Sequence, residues 1–215
     1  MRQIQAVAAR PRGRPQLRCD EDTRHLLVEA AACEFQKSGY AGTSMATVAQ
    51  RAGISTKTMY RLIPTKADLF TAVVADRIGL FMLAIDDETL EATDLEEALG
   101  RILAAYGRLT LSPETIAINR LVIGESDRFP EISNAFYDTA VLRTSLAMER
   151  WLRRQCDRGL MRLDDPALAV GMLRGMMIME PQRNVMLGRA PAPSGEEILR
   201  RARVCARLFL QGCRI

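Results

Sequence analysis

Residues 43–70 read TSMATVAQRAGISTKTMYRLIPTKADLF. Two short helices that cross with a tight turn between them need a small residue where they pack closest, and Ala49 stands there. The turn needs a residue that tolerates positive φ, and Gly53 follows four positions later. The second helix needs an apolar anchor, supplied by Met59, and a start signal, supplied by Ser55. Val48, Ala52, Ile54 and Leu62 fill the remaining inward positions. The outward positions then follow: Thr56, Lys57, Thr58, Tyr60 and Arg61, side chains suited to phosphates and base edges. Taken alone, this spacing also fits a solvated helical hairpin in any all-α protein.

Outward from this segment the pattern stays helical, with no sustained alternation of apolar and polar residues to signal a strand. Asp22 or Thr23 opens a first helix, with Leu26, Leu27, Ala30, Ala31 and Phe35 on one face and Gly39 at its C-cap. Short helices follow Thr43–Ser44 and Ser55. Thr65-x-x-Asp68 is a capping box before an apolar run to about Asp86. Thr93-x-x-Glu96 and Ser112-Pro113 open two more. Pro130 to Arg158 reads as one long helix ending at Gly159. Asp165-Pro166 and Ser194-x-x-Glu197 open the last two, with GRAPAPSG (188–195) as a loop between them. The expected fold is all-α, with about nine helices. The division is a flexible basic arm over 1–20, a DNA-binding unit over 21–66 and a helical body over 67–215.

Charge supports this division. Residues 1–66 hold 11 Lys/Arg against 5 Asp/Glu, and the remainder 19 against 21. A basic front on a mildly acidic back suits a nucleic-acid end joined to something else. Residues 11–15, Pro-Arg-Gly-Arg-Pro, match the core of an AT-hook: the glycine lets the backbone lie in a narrow minor groove while Arg12 and Arg14 extend along its floor. A generic basic tail without sequence preference is the alternative.

Residues 24–70 resemble the N-terminal domain of the TetR family. The matching elements are Ala31, Phe35, Gly39-Tyr40, Thr43-Ser44-Met45, Val48-Ala49, Ala52-Gly53-Ile54-Ser55, Thr58-Met59-Tyr60, Lys66 and Leu69-Phe70. The resemblance implies a three-helix DNA-binding domain and a helical C-terminal domain for dimerisation and ligand binding. By motif position it places Thr43, Ser44, Ser55, Thr58, Tyr60 and Lys66 at the DNA, with Tyr60 and Lys66 on phosphates. Thr56, Lys57 and Arg61 fall at the variable, base-reading positions. Lys57 stands where the family often has Gly, and Leu62-Ile63 where it often has aromatic residues, which puts the path of the 62–64 turn in question. Residues 119–188, with Phe129-Pro130-Glu131 and Ala135-Phe136-Tyr137, also resemble the C-terminal domain of one TetR subgroup.

No catalytic pattern appears. His25 is the one histidine, and no Glu-x-x-His, His-x-x-x-His, Cys-x-x-Cys, phosphate loop or nucleophile elbow occurs, so no enzyme activity, metal or cofactor is expected. The five cysteines are too widely spaced for a disulfide framework and read as reduced thiols, with a redox sensor as the alternative. No run approaches the ~20 apolar residues of a membrane span, and the chain is read as cytoplasmic. Phe81, Met82, Tyr106, Phe136, Met148, Trp151, Met172 and Met176 are the large soft groups from which an apolar ligand pocket would be built, unless they merely fill the core. Glu180, Asn119, Arg120 and Gln155 are its candidate polar anchors.

The expected partners are double-stranded DNA, a second copy of the chain and a small-molecule effector of unknown identity. Helices 166–187 and 194–211, with Ala167, Ala169, Gly171 and Gly175 for close approach and apolar rows at Ile198, Val204, Cys205, Leu208 and Phe209, are the expected homodimer interface. Two recognition helices ~34 Å apart would then read a palindromic operator, and the most economical function is a repressor released by a small apolar ligand. Rival readings are a regulator that activates or ignores ligands, an architectural DNA binder, and an all-α enzyme with an accidental hairpin.

Overall fold

The computed structural model describes residues 19–86, 89, 91 and 94–213. The described residues contain helices and no strand, as expected. α1 (Asp20–Gly42), α2 (Met45–Ala52), α3 (Thr56–Leu62) and α4 (Lys66–Leu83) are followed by α5 (Leu95–Thr110), α6 (Pro113–Glu125), α7 (Pro130–Phe136), α8 (Arg143–Asp157), α9 (Pro166–Met186) and α10 (Gly195–Cys213). A π-helical turn (Tyr137–Leu142) joins α7 to α8 into one rod; counted so, there are nine helices among the described residues. None of these is long and apolar enough to cross a membrane.

Apart from α7, which follows Phe129 without a side-chain cap, helix starts lie where short side chains satisfy orphan amides. Thr65 and Asp68 close the capping box of α4, Ser112 and Asp165 each precede a proline in the first turn, and Ser194 exchanges hydrogen bonds with Glu197. Two starts differ from expectation. Cys19 Sγ caps α1, and Asp94 caps α5 by accepting from Glu97 N at 3.0 Å. α4 ends at Leu83, sooner than the apolar run suggested. Gly39 does adopt positive φ (70°, with ψ 178°), but it bends α1 rather than ending it.

The expected single helix from Pro130 also needs amending, because one residue too many is wound into its middle. Thr144 and Ser145 hydroxyls donate to the Ala140 and Val141 carbonyls at 2.6 and 2.7 Å, steadying this wider turn. The rod stops at Gly159 (φ 71°), where Leu160 N bonds back to Gln155 O at 3.0 Å.

Two apolar cores result. One packs α1–α4 around Leu27, Phe35, Met59 and Phe70, and is closed from the other side by Val122 of α6 and Ile132 of α7. The second fills the body with Trp151, Tyr106, Leu103 and Met177. α5 packs tightly at Gly107, where a methyl group would lie 2.9 Å from Ile198 Cγ2 of α10 and closer still to Met177 of α9. α4 contributes to both cores: Leu69, Phe70, Val73 and Val74 to the first, Phe81 to the second.

Candidate DNA-binding face and ligand cavity

The α2–turn–α3 unit is built as its spacing requires. Val48, Ala49 and Met59 are fully buried. Gly53 takes the left-handed conformation (φ 67°, ψ 32°), its amide bonding Gln50 O and that of Ile54 bonding Ala49 O at 2.9 Å. Ser44 and Ser55 each accept from the amide three residues on, at 3.1 Å, and their hydroxyls pair with those of Thr47 and Thr58. Ile63, at the position in question, is buried and terminates α3 by bonding Met59 O at 2.7 Å. Arg24 of α1 donates to Leu62 O at 2.8 Å and so braces the same end of α3.

The residues expected at DNA are not equally presented. Ser44, Ser55, Thr56, Lys57, Tyr60 and Arg61 are exposed, Tyr60 by 53% of its surface. Thr58 is half-buried. Thr43 is instead buried, and its hydroxyl donates to Gly39 O at 2.7 Å to close the turn after α1. Arg61 is held by Asp20 in a two-pronged ion pair at 2.7 and 2.8 Å, which also pushes its pKa up. Lys66 does not project freely: its ammonium donates to Tyr40 O at 2.8 Å and Thr43 O at 3.1 Å, and lies 4.4 Å from the Tyr40 ring centre. A cation there satisfies carbonyls at the C-terminal end of α1, where negative partial charge collects. Arg12 and Arg14 lie outside the described residues.

On the opposite side of that turn Glu125, the last residue of α6, accepts from Tyr40 N and Ala41 N, both at 2.9 Å. Lys66 thus holds the carbonyls and Glu125 the amides of one short segment. A methyl group on Gly39 would lie 2.6 Å from Glu125 Oε1. The Tyr40 phenol is pushed up to about 12, first by burial and then by the neighbouring Glu131 carboxylate.

The body holds a cavity of about 130 Å³. Its wall takes Val74, Arg77 and Ile78 from α4, Tyr106, Leu109 and Thr110 from α5, Thr115, Ile118 and Asn119 from α6, Phe136 from α7, Ala140 and Val141 from the π-turn, Thr144 from α8, and Arg174, Ile178 and Gln182 from α9. Of the eight expected pocket residues, Tyr106 and Phe136 are in this wall. Phe81, Met148 and Trp151 are buried core instead, Trp151 donating to Thr89 O at 2.9 Å. Met82 packs half-buried against the same core. Met172 is 56% exposed, and Met176 lines a groove beside Pro181 and Val204. Phe81, Met82, Met148 and Trp151 thus fill core space, as close packing demands.

Of the polar candidates, Asn119 reaches the cavity. Arg120 donates to Val185 O and Met186 O at the end of α9, Gln155 is buried and accepts from Arg158, and Glu180 pairs with Arg201. The wall's two arginines, Arg77 and Arg174, were missed. The signal available was a charge interrupting an apolar run: the Asp76-Arg77 pair between Val73-Val74 and Ile78, and Arg174 between Leu173 and Met176-Met177. Burial pushes the Cys156, Cys205 and Cys213 thiols up, the opposite of what an activated thiolate needs.

A profile of the AefR-like transcriptional repressor C-terminal domain matches residues 97–212, more than half of the chain, and one of the tetR family of bacterial regulatory proteins matches residues 27–73. The chain belongs to the TetR family. This TetR-family transcriptional regulator is similar to a TetR-family regulator of known structure from Mesorhizobium loti MAFF303099, with 27% identity and a TM-score of 0.78, covering 91% of this chain and 98% of that one. It shares its fold with the fatty acid degradation regulator FadR from Bacillus halodurans, at 19% identity and TM-score 0.69, over 88% of this chain and 95% of that one. It also shares it with the flavonoid-responsive regulator FrrA, at 23% identity and TM-score 0.71, over 90% and 98%. A fatty acid metabolism regulator protein of Bacillus subtilis (strain 168) is 21% identical over 92 residues, 43% of this chain; the match spans about half of that relative's length (47%). Family members of this kind bind DNA, usually as dimers.

Proposed function

We propose that this TetR-family regulator is a repressor that binds a palindromic operator as a homodimer and is released by a small, largely apolar ligand in the cavity. The observation that carries the reading is the double duty of α4 and α6. α4 places Leu69, Phe70 and Val73 in the core beneath the helix-turn-helix, and from Val74 on it lines the cavity with Val74, Arg77 and Ile78. α6 lines the cavity at its start and grips the Tyr40 turn with Glu125 at its end. A ligand that moves either helix therefore alters how α1–α3 sit, and it shifts DNA binding by its differential affinity for the two arrangements.

Thr56, Lys57 and Arg61 are assigned to base edges, and Ser44, Ser55, Thr58, Tyr60 and Lys66 to the backbone, Lys66 chiefly by fixing the α1–α2 turn. Arg12 and Arg14 are assigned to the adjacent minor groove. The dimer is assigned to α9 and α10, whose outer faces expose Leu168, Met172 and Met179 on one and Leu199, Val204 and Leu208 on the other. The test is selection of a binding site from random DNA, followed by footprinting. A two-fold symmetric protected site supports the reading; protection without a defined site overturns it.

A further inference from the structure

The cavity carries positive charge that its own wall does not balance. Arg77 and Arg174 both line it, and no Asp or Glu does. Arg174 donates Nε to the Tyr106 oxygen at 2.7 Å and Nη1 to Ser145 Oγ, both neutral acceptors. Arg77 Nε is sealed from solvent and has no hydrogen-bond partner among the described residues. Neither guanidinium takes part in an ion pair among those residues. A guanidinium does not give up its proton, so relief by neutralisation is closed to it. Buried donors, charged ones above all, are ordinarily satisfied. Burial also pushes the Tyr106 phenol up, keeping it protonated; with its oxygen already accepting from Arg174, its own O–H is left to donate. Arg77 also borders two outer grooves lined by Glu114, but on the cavity side the wall offers donors and no carboxylate.

We propose that the effector is a small amphiphilic carboxylate, its charge taken by Arg174 with Arg77 as the second cation, and its body no larger than about one aromatic ring. A guanidinium fork matches a carboxylate in shape and charge. Val74, Ile78, Leu109, Ile118, Phe136 and Ile178 make the rest of the wall apolar, which suits a monoanion with a hydrocarbon body over a hydrated phosphate. The volume, about 130 Å³, is close to the ~150 Å³ in which a single benzene is held. A body longer than that extends beyond this space. The π-turn belongs to the same design: it brings Ala140 and Val141 to the wall, and such bulges are frequent at functional sites.

This inference rests on the cavity being the effector site, and the experiment separates the two. Benzoate, phenylacetate and hexanoate are titrated into the full-length protein by calorimetry, beside the neutral benzamide and hexadecanoate. The same compounds are then added to an operator complex followed by fluorescence anisotropy. At least one small carboxylate should bind about tenfold or more tightly than benzamide, a gap of about 1.4 kcal/mol. Arg77→Met and Arg174→Lys should each remove most of that preference. Arg77→Met leaves no polar group orphaned, so its thermal midpoint without ligand should equal or exceed that of the parent, which guards against a folding artefact. Benzamide binding as well as benzoate, carboxylate binding unchanged in both variants, silence from all three small carboxylates at millimolar concentration, or binding of hexadecanoate alone would each overturn the proposal. If a carboxylate binds through the arginines and the operator complex survives saturation, the carboxylate site stands and the release mechanism falls. If neutral compounds release the operator, the outcome is reversed.

Discussion

Arg61, proposed to read base edges, is also tied into the fold. Its guanidinium faces outward from α3, yet Asp20 already holds both of its arms. An exposed pair of this kind is worth little to stability, but on the proposed DNA-reading surface it would set a competitor beside every phosphate and base. Asp20→Asn should therefore tighten binding several-fold and steepen its salt dependence, measured by anisotropy at several salt concentrations; unchanged binding would mean that Arg61 stays clear of DNA. Lys66 carries the reverse lesson. Lys66→Met should weaken DNA binding, as a phosphate contact would, but also cost roughly 2 kcal/mol of stability through lost charge-assisted bonds to Tyr40 O and Thr43 O, readable in urea melts. Unaltered stability would return the residue to a purely DNA-facing role. Tyr40 beside it supplies a pH signature. Its pKa is raised from 10.0 to about 12, so the fold binds that proton more tightly than the unfolded chain does. The stabilisation is complete below pH 10 and fades as pH rises towards 12. Tyr40→Phe should lack this component, so the stability gap between the two proteins should narrow across that range.

At the scale of elements, the bend in the last turn of α1 joins sequence-legible and sequence-silent features. Gly39-Tyr40 stood out, because a glycine at positive φ is a local requirement. Glu125, 85 positions from Tyr40, left no trace in the sequence: a glutamate at a helix end reads as solvated. Gly39→Ala should destabilise by about 1–3 kcal/mol on backbone grounds alone, and push Glu125 from its amides. Pairing it with Glu125→Ala tests the clasp, since the double variant should recover the steric part of the loss and none of the backbone part. The π-turn was silent for a similar reason. One extra residue wound into a long rod leaves the apolar pattern readable on both sides, so a straight helix explains the sequence equally well. The two cavity arginines were hidden by habit of type, arginine on a helix being normally a solvated residue. Met82 and Met148 differ in the opposite direction, since flexible apolar side chains suit a core as well as a pocket.

For the whole molecule, the all-α fold and the position of its DNA-binding unit were legible because caps, glycines and helical periodicity act within a few residues of one another. The proposed dimer would cover the outer faces of α9 and α10. Leu168, Met172 and Leu208 are 58%, 56% and 56% exposed in the single chain. Replacing Met172 and Leu208 with Glu should leave the thermal unfolding of each protomer nearly intact while abolishing the dimer in sedimentation, and with it high-affinity operator binding; a persistent dimer would move the interface elsewhere. Finally, the core beneath α1–α4 is closed by Val122 and Ile132 from beyond α5. Anyone building a biosensor by exchanging reading heads between regulators of this family inherits that seam. A graft cut after residue 66 strips the head of part of its own lining and of Glu125. The workable exchange carries the matching stretch of α6 and α7 with it, so the portable unit is discontinuous along the chain.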